Sequence, residues 1–202
     1  MTAEPTIHVV DDDEAVRRAL TSAGELLGHS VRSYASAAEF LADFDPARSG
    51  CLVLDIKMPG MTGLELQRKL ADDGASIPVI MISGHADVRI AVESMTLGAV
   101  TLLEKPFRLD ELLGHLRRAL EKDARDRQAL ELSAESESRL SLLTPKEREV
   151  LELVATGKTN KEMAESLGLS VRAVEDRRAR LMRKVGATSV AELVRLLTSN
   201  RN

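Results

Sequence analysis

Cys51-Leu52-Val53-Leu54-Asp55-Ile56-Lys57-Met58-Pro59-Gly60 decides the reading of this chain. A short apolar run leads into a carboxylate, and Pro59-Gly60 then breaks the pattern. A continuous apolar run of this length fits a strand covered on both faces, as in parallel sheets. A carboxylate at its C-terminal tip lies where open α/β sheets place their chemistry. A second run, Ile7-His8-Val9-Val10, leads into Asp11-Asp12-Asp13. Two strand tips bearing carboxylates can hold a hard divalent cation beside a nucleophilic oxygen. Such a carboxylate can accept a phosphoryl group and become an acyl phosphate.

Outward from these runs, apolar stretches and helical patterns alternate. The pattern predicts strands near 6–10, 30–34, 51–55, 78–82 and 100–103. Helices are predicted near 14–28, 36–44, 63–73 and 86–97, with a fifth starting near 108. Five βα units predict an α/β fold, a doubly wound five-stranded parallel sheet of the flavodoxin-like kind. From Leu109 to Leu140 only Gly114 interrupts a helical pattern, so a long helical linker is expected to leave the sheet domain. Its apolar stripe fits a short dimer seam interrupted by Asp123 and Arg127, or a solvated linker fraying around 134–138.

Residues 142–202 read as all helix, with helices near 145–156, 160–167, 171–185 and 189–198. Ser36-Ala-Ala-Glu39, Thr62-Gly-Leu-Glu65, Thr144-Pro-Lys-Glu147, Thr159-Asn-Lys-Glu162 and Ser189-Val-Ala-Glu192 have capping-box spacing. Gly168-Leu169-Ser170 ends one helix and caps the next, which is helix-turn-helix spacing. The expected domains are therefore 1–122, a helical linker 123–141, and 142–202.

Charge divides along the same boundaries. Residues 1–122 hold 13 Lys/Arg against 19 Asp/Glu, whereas 142–202 hold 12 against 8. A basic C-terminal unit behind an acidic first domain suggests nucleic acid as a partner for the second alone. The single cysteine, Cys51, forbids an intramolecular disulfide and fits a reducing compartment. No apolar run approaches a membrane span and nothing resembles a signal peptide, so a cytoplasmic location without a membrane partner is expected.

Four further stretches carry a family resemblance: Val9-Val-Asp-Asp-Asp13, Leu54-Asp-Ile-Lys-Met-Pro-Gly60, Met81-Ile-Ser-Gly-His85 and Glu104-Lys-Pro-Phe107. Over residues 6–120 the chain resembles the receiver domain of bacterial two-component response regulators. The resemblance implies Asp55 as phospho-acceptor, with Ser83 and Lys105 as its hydroxyl and cationic helpers. It implies a Mg²⁺ (or Mn²⁺) cofactor held by Asp11, Asp12, Asp55 and the backbone carbonyl of Lys57. It also implies a cis Lys105-Pro106 bond, and it puts His85 at a position that faces the site in the family, although the residue by itself reads equally as a solvated loop histidine. Leu102 departs from the family, which has an aromatic residue three before the lysine.

Residues 142–200 resemble the LuxR-type output domain of the NarL/FixJ branch, most of all FixJ-like regulators. Leu143-Thr-Pro-Lys-Glu-Arg-Glu-Val-Leu151, Gly157-Lys-Thr-Asn-Lys-Glu-Met-Ala164 and Leu169-Ser-Val-Arg-Ala-Val-Glu175 carry that likeness. The helix after Ser170 is then the recognition helix, with Val171, Val174, Leu181 and Val185 facing the core. The DNA contacts expected from this unit are Lys161, Arg172, Arg177, Arg178, Arg180 and Lys184. Ala173 and Arg177 replace the family's Thr and His, and Asp176 adds a negative charge.

The combined expectation is a transcription regulator, not an enzyme. A sensor histidine kinase phosphorylates Asp55, and a homodimer binds double-stranded promoter DNA, with RNA polymerase as a further partner. Two rival readings stand beside it. A phosphatase with an Asp nucleophile would carry a second Asp where Lys57 stands. A phosphorelay or protein-interaction module would keep the receiver chemistry without reading DNA.

Overall fold

A computed structural model describes residues 4–84 and 88–199 of the chain, in two compact units, Met1–Arg127 and Gln128–Asn202. The first unit holds five parallel strands: β1 (Thr6–Val10), β2 (Ser30–Tyr34), β3 (Gly50–Asp55), β4 (Val79–Ser83) and β5 (Thr101–Glu104). They lie in the order β2-β1-β3-β4-β5. The helices between them are α1 (Glu14–Leu26), α2 (Ala37–Asp43), α3 (Gly63–Asp72) and α4 (Val88–Thr96). The expected strands are present within one residue at each end. His85 lies outside the described residues.

Alternation along the two central strands separates two cores. Leu52 and Leu54 of β3 join Met81 of β4 with Phe40 of α2 and Leu66 of α3. Cys51 and Val53 face the other way, with Ile80, Ile82, Leu20 of α1, and Leu112 and Leu116 of the last helix. Every residue of β3 and of β4 is buried. That explains why both read as unbroken apolar runs.

The helix after β5, α5, runs from Leu109 to Ser141. Its end agrees with the helical linker expected to reach 141, and residues 134–138, where a fraying linker was the alternative, are helical. Pairs four residues apart support its exposed turns: Lys122–Asp126 and Glu135–Arg139. The stripe proposed as a dimer seam is already used at its start, because Leu112, Leu116, Ala119 and Leu120 are buried against the sheet. Asp123 and Arg127, which break the apolar stripe, anchor the helix. Asp123, 1% exposed, accepts from the Ser49 hydroxyl at 2.6 Å, the Gly50 amide at 2.9 Å and Arg127 Nε at 3.1 Å. The Arg127 guanidinium also donates to the carbonyls of Pro46, Ala47 and Arg48. Helix α5 is thus clamped onto the loop before β3.

The second unit comprises the end of α5, α6 (Pro145–Ala155), α7 (Asn160–Leu167), α8 (Val171–Val185) and α9 (Val190–Ser199). Its core contains Leu140, Val150, Leu151, Met163, Val174, Leu181, Val185 and Leu193. Val171, expected in that core, is 42% exposed. As the first residue of α8 it precedes the turn that packs. Gly168 takes φ +63°, the left-handed conformation that lets α7 stop and the chain reverse into α8.

The capping motifs divide into two forms. Thr62, Thr144 and Thr159 each make a full box, with the Glu three residues on accepting from the Thr amide. Ser36 and Ser189 also accept from the amide three residues on. Their glutamates, Glu39 and Glu192, instead reach back to the amides of Ala35 and Thr188.

Candidate phosphoryl-transfer site and nucleic-acid interface

Parallel register brings the polar strand tips together. Asp55 pairs with Ile82, and Ser83 with Glu104. The Ile56 amide donates to the Ile82 carbonyl, and the Lys105 amide to the Ser83 carbonyl at 2.7 Å. Asp11 follows the last residue of β1, on the strand beside β3. The site therefore sits at the β1/β3 switch point, where open α/β sheets bind ligands. Gly63 is required beneath it, because a Cβ there would meet the Asp55 carbonyl at 2.2 Å.

Lys105 joins two buried carboxylates. Its ammonium donates to Asp55 Oδ1 at 2.7 Å and Asp11 Oδ2 at 2.8 Å. Asp55 Oδ2 accepts from the Lys57 amide at 2.7 Å, and Asp11 Oδ1 from the Asp13 amide at 2.9 Å. Burial pushes the Asp55 carboxyl above its ordinary pKa, outweighing the Lys105 ammonium beside it. Burial opposes the Lys105 charge too, but its hydrogen bonds to Asp11 and Asp55 prevail and raise its pKa. Ser83 is buried at the tip of β4. The Lys105-Pro106 bond is cis, as expected.

Asp12 is exposed, and Asp13 caps α1 by accepting from the amides of Ala15 and Val16. Among the described residues no group of three or more His, Cys, Asp or Glu side chains is arranged to hold a metal ion. The donor set nevertheless fits a hard cation. Asp11 and Asp55 present buried carboxylate oxygens to one positive group, and such a cation keeps several waters and needs few protein ligands.

In the second unit, Arg172, Asp176, Arg180 and Arg183 are exposed on α8, and Lys161 is exposed on α7. Arg177 is half-buried. Two expected DNA contacts are engaged within the fold. Arg178 donates to Asn160 Oδ1, and Asn160 Nδ2 donates to Glu175 Oε1 at 3.4 Å, tying α7 to α8. Lys184 donates to Glu147 Oε2 at 2.8 Å, locking the capping box of α6 to the end of α8. Both lie on sides of α8 turned toward its neighbours. Sequence spacing marked these residues as basic, but it could not show partners 18 and 37 positions away.

A parallel 2-1-3-4-5 sheet with acids and a lysine at its tips, followed by a helix-turn-helix unit, defines a phosphorylation-controlled DNA-binding protein. The chain matches the response regulator receiver domain family over residues 7–117, and the luxR family of bacterial regulatory proteins over 141–197. It is 43% identical to the transcriptional regulatory protein FixJ of Azorhizobium caulinodans, over 94% of this chain and 90% of that one. It is 40% identical to the response regulator protein TmoT of Ectopseudomonas mendocina, over 96% and 88%. Among solved structures, response regulator StyR superposes with TM-score 0.85 at 39% identity, covering 97% of this chain and 99% of StyR. The chain belongs to the NarL/FixJ family of response regulators, and it is a two-component regulator of transcription. Receiver domains of this family answer to sensor kinases and generally bind Mg²⁺, and LuxR-type domains bind DNA. No described helix is long and apolar enough to cross a membrane.

Proposed function

We propose that Asp55 accepts a phosphoryl group from a sensor histidine kinase, and that the phosphorylated chain pairs to bind promoter DNA in the cytoplasm. The observation that carries this reading is Lys105 donating at once to Asp55 and Asp11 at the strand tips. A carboxylate oxygen of Asp55 attacks phosphorus as the P–N bond to the kinase's phosphohistidine breaks, which leaves an acyl phosphate on Asp55 and returns the imidazole, protonated from solvent, to the kinase. Lys105 stands where it can offset charge on the phosphoryl oxygens, and Ser83 brings a hydroxyl donor to the same edge. Asp11, Asp12, Asp55 and the Lys57 carbonyl would hold Mg²⁺, which supplies further charge neutralisation when bound. Arg172 would reach base edges, and Lys161, Arg177 and Arg180 would meet phosphates. A single helix-turn-helix unit reads too short a site for high affinity, so pairing on two-fold related half-sites is the natural switch.

Incubation with acetyl phosphate and Mg²⁺ tests the acceptor. The parent chain gains one hydroxylamine-labile phosphoryl group, and Asp55→Ala gains none. A label retained by Asp55→Ala moves the acceptor elsewhere.

A further inference from the structure

Asp176 stands where a carboxylate is hardest to explain. At 3.6 residues per turn it lies about 160° around α8 from Val174, which is fully buried. It is therefore central to the exposed face. Arg172 and Arg180 stand one turn before and after it, and Arg183 two turns on, all exposed. None of them pairs with it among the described residues. The Arg180 and Arg183 Nε atoms donate instead to the backbone carbonyls of Asp176 and Ala179, each at 3.3 Å. Among the described residues the Asp176 side chain caps nothing and bridges nothing, so the fold they form does not account for it.

A carboxylate on this face cannot lie against phosphate without repulsion. In the major groove it can accept from an exocyclic amino group, and cytosine N4 is the donor it matches best. Guanine O6 and N7 and thymine O4 are acceptors and repel it. A short side chain reads a base only if the helix approaches closely. Exposed Ala179, three residues on, leaves room for that approach.

We propose that Asp176 is a specificity-determining residue of the recognition helix, accepting a hydrogen bond from cytosine N4 in the half-site and excluding guanine there. The proposal rests on the DNA-reading function above. Its charge offsets the neighbouring arginines, so binding to wrong sequences weakens more than binding to the right one.

Selection from randomised double-stranded DNA tests it, using the full chain treated with acetyl phosphate and Mg²⁺. The parent is expected to enrich cytosine at one position of each half-site. Asp176→Asn is expected to move that position toward adenine, whose N6/N7 edge an amide matches. Asp176→Ala is expected to lose the preference at that position alone, with the ratio of selected to scrambled DNA affinity falling on the order of tenfold. Circular dichroism of both variants should match the parent, since no side-chain contact is removed. Equal strengthening of selected and scrambled DNA by both variants overturns the proposal, because Asp176 then only repels phosphate. A parent chain that enriches no sequence overturns the DNA-reading function itself, and this inference with it.

Discussion

At the scale of single residues, a neutral imidazole is the form of His8 that its surroundings favour. Its ring stacks on Tyr34 and meets Phe40 and Phe44 edge-on, and Nδ1 lies 3.2 Å from Tyr34 Oη. Tyr34 donates to Asp43 at 2.6 Å, and Asp43 also pairs with Arg32. Burial first, and then the nearby Arg32 charge, lower the His8 pKa to about 4. The group is depressed in the folded state, so its contribution is present above pH 6.5 and is lost as pH falls toward 4. Urea unfolding of the receiver unit should lose about 3 kcal/mol over that window through His8. His8→Leu should flatten the profile by that amount; an unchanged profile would show that His8 protonates freely. Leu102 is half-buried against the core of Leu54 and Met81. Leu102→Ala should lower stability by about 2 kcal/mol or less. It should leave phosphorylation-dependent DNA binding intact, and its loss in a folded variant would give this position a signalling role. The convergence of Asp11, Asp55, Ser83 and Lys105 on one sheet edge was legible because strand tips mark themselves as polar after apolar runs. Asp123 was not, because its hydrogen-bond partners lie 73 and 74 positions away.

At the scale of elements, helix starts and helix ends were both legible, within two residues. A start announces itself through a hydroxyl and a glutamate three residues on, which satisfy amides locally. The end of α5 at Ser141 agrees with the linker bound read from the sequence, and what the sequence did not show is that Ser136 and Leu140 near that end are buried. The clamp on α5 yields a prediction at this scale. Asp123→Ala removes the acceptor for the Ser49 hydroxyl, the buried Gly50 amide and Arg127 at once. It should destabilise the receiver unit by about 3 kcal/mol. Thermal unfolding of the second unit should not move; a change there would mean that the clamp serves both. In the second unit, Lys184 first, then the Thr144 amide and hydroxyl, hold the Glu147 pKa down to about 2. The stability that Glu147 contributes is therefore present above its ordinary range and lost as pH falls toward 2. Glu147→Gln should reduce the acid sensitivity of the second unit, read by circular dichroism between pH 5 and 2.

At the scale of the whole molecule, the acidic first unit and the basic second one divide chemistry from recognition. Phosphorylation should raise the sedimentation coefficient from monomer to dimer; a monomer bound to operator-length DNA would remove pairing from the mechanism. Arg177→Ala should weaken binding to all sequences alike and lower the slope of log K against log salt by about one. Arg172→Ala should also relax specificity, by roughly 1–3 kcal/mol at one position. A loss confined to specific DNA with an unchanged slope would reverse the Arg177 assignment. The anchored turn of α5 matters to anyone who splices such proteins. The receiver family match ends at residue 117, yet the compact first unit runs to Arg127. A graft joined at 117 with a foreign helix loses Asp123 and Arg127, stranding the Gly50 amide at the root of the strand that ends in Asp55. A graft joined after Arg127 carries its own fastening, and a new output domain can be attached there without disturbing the receiver.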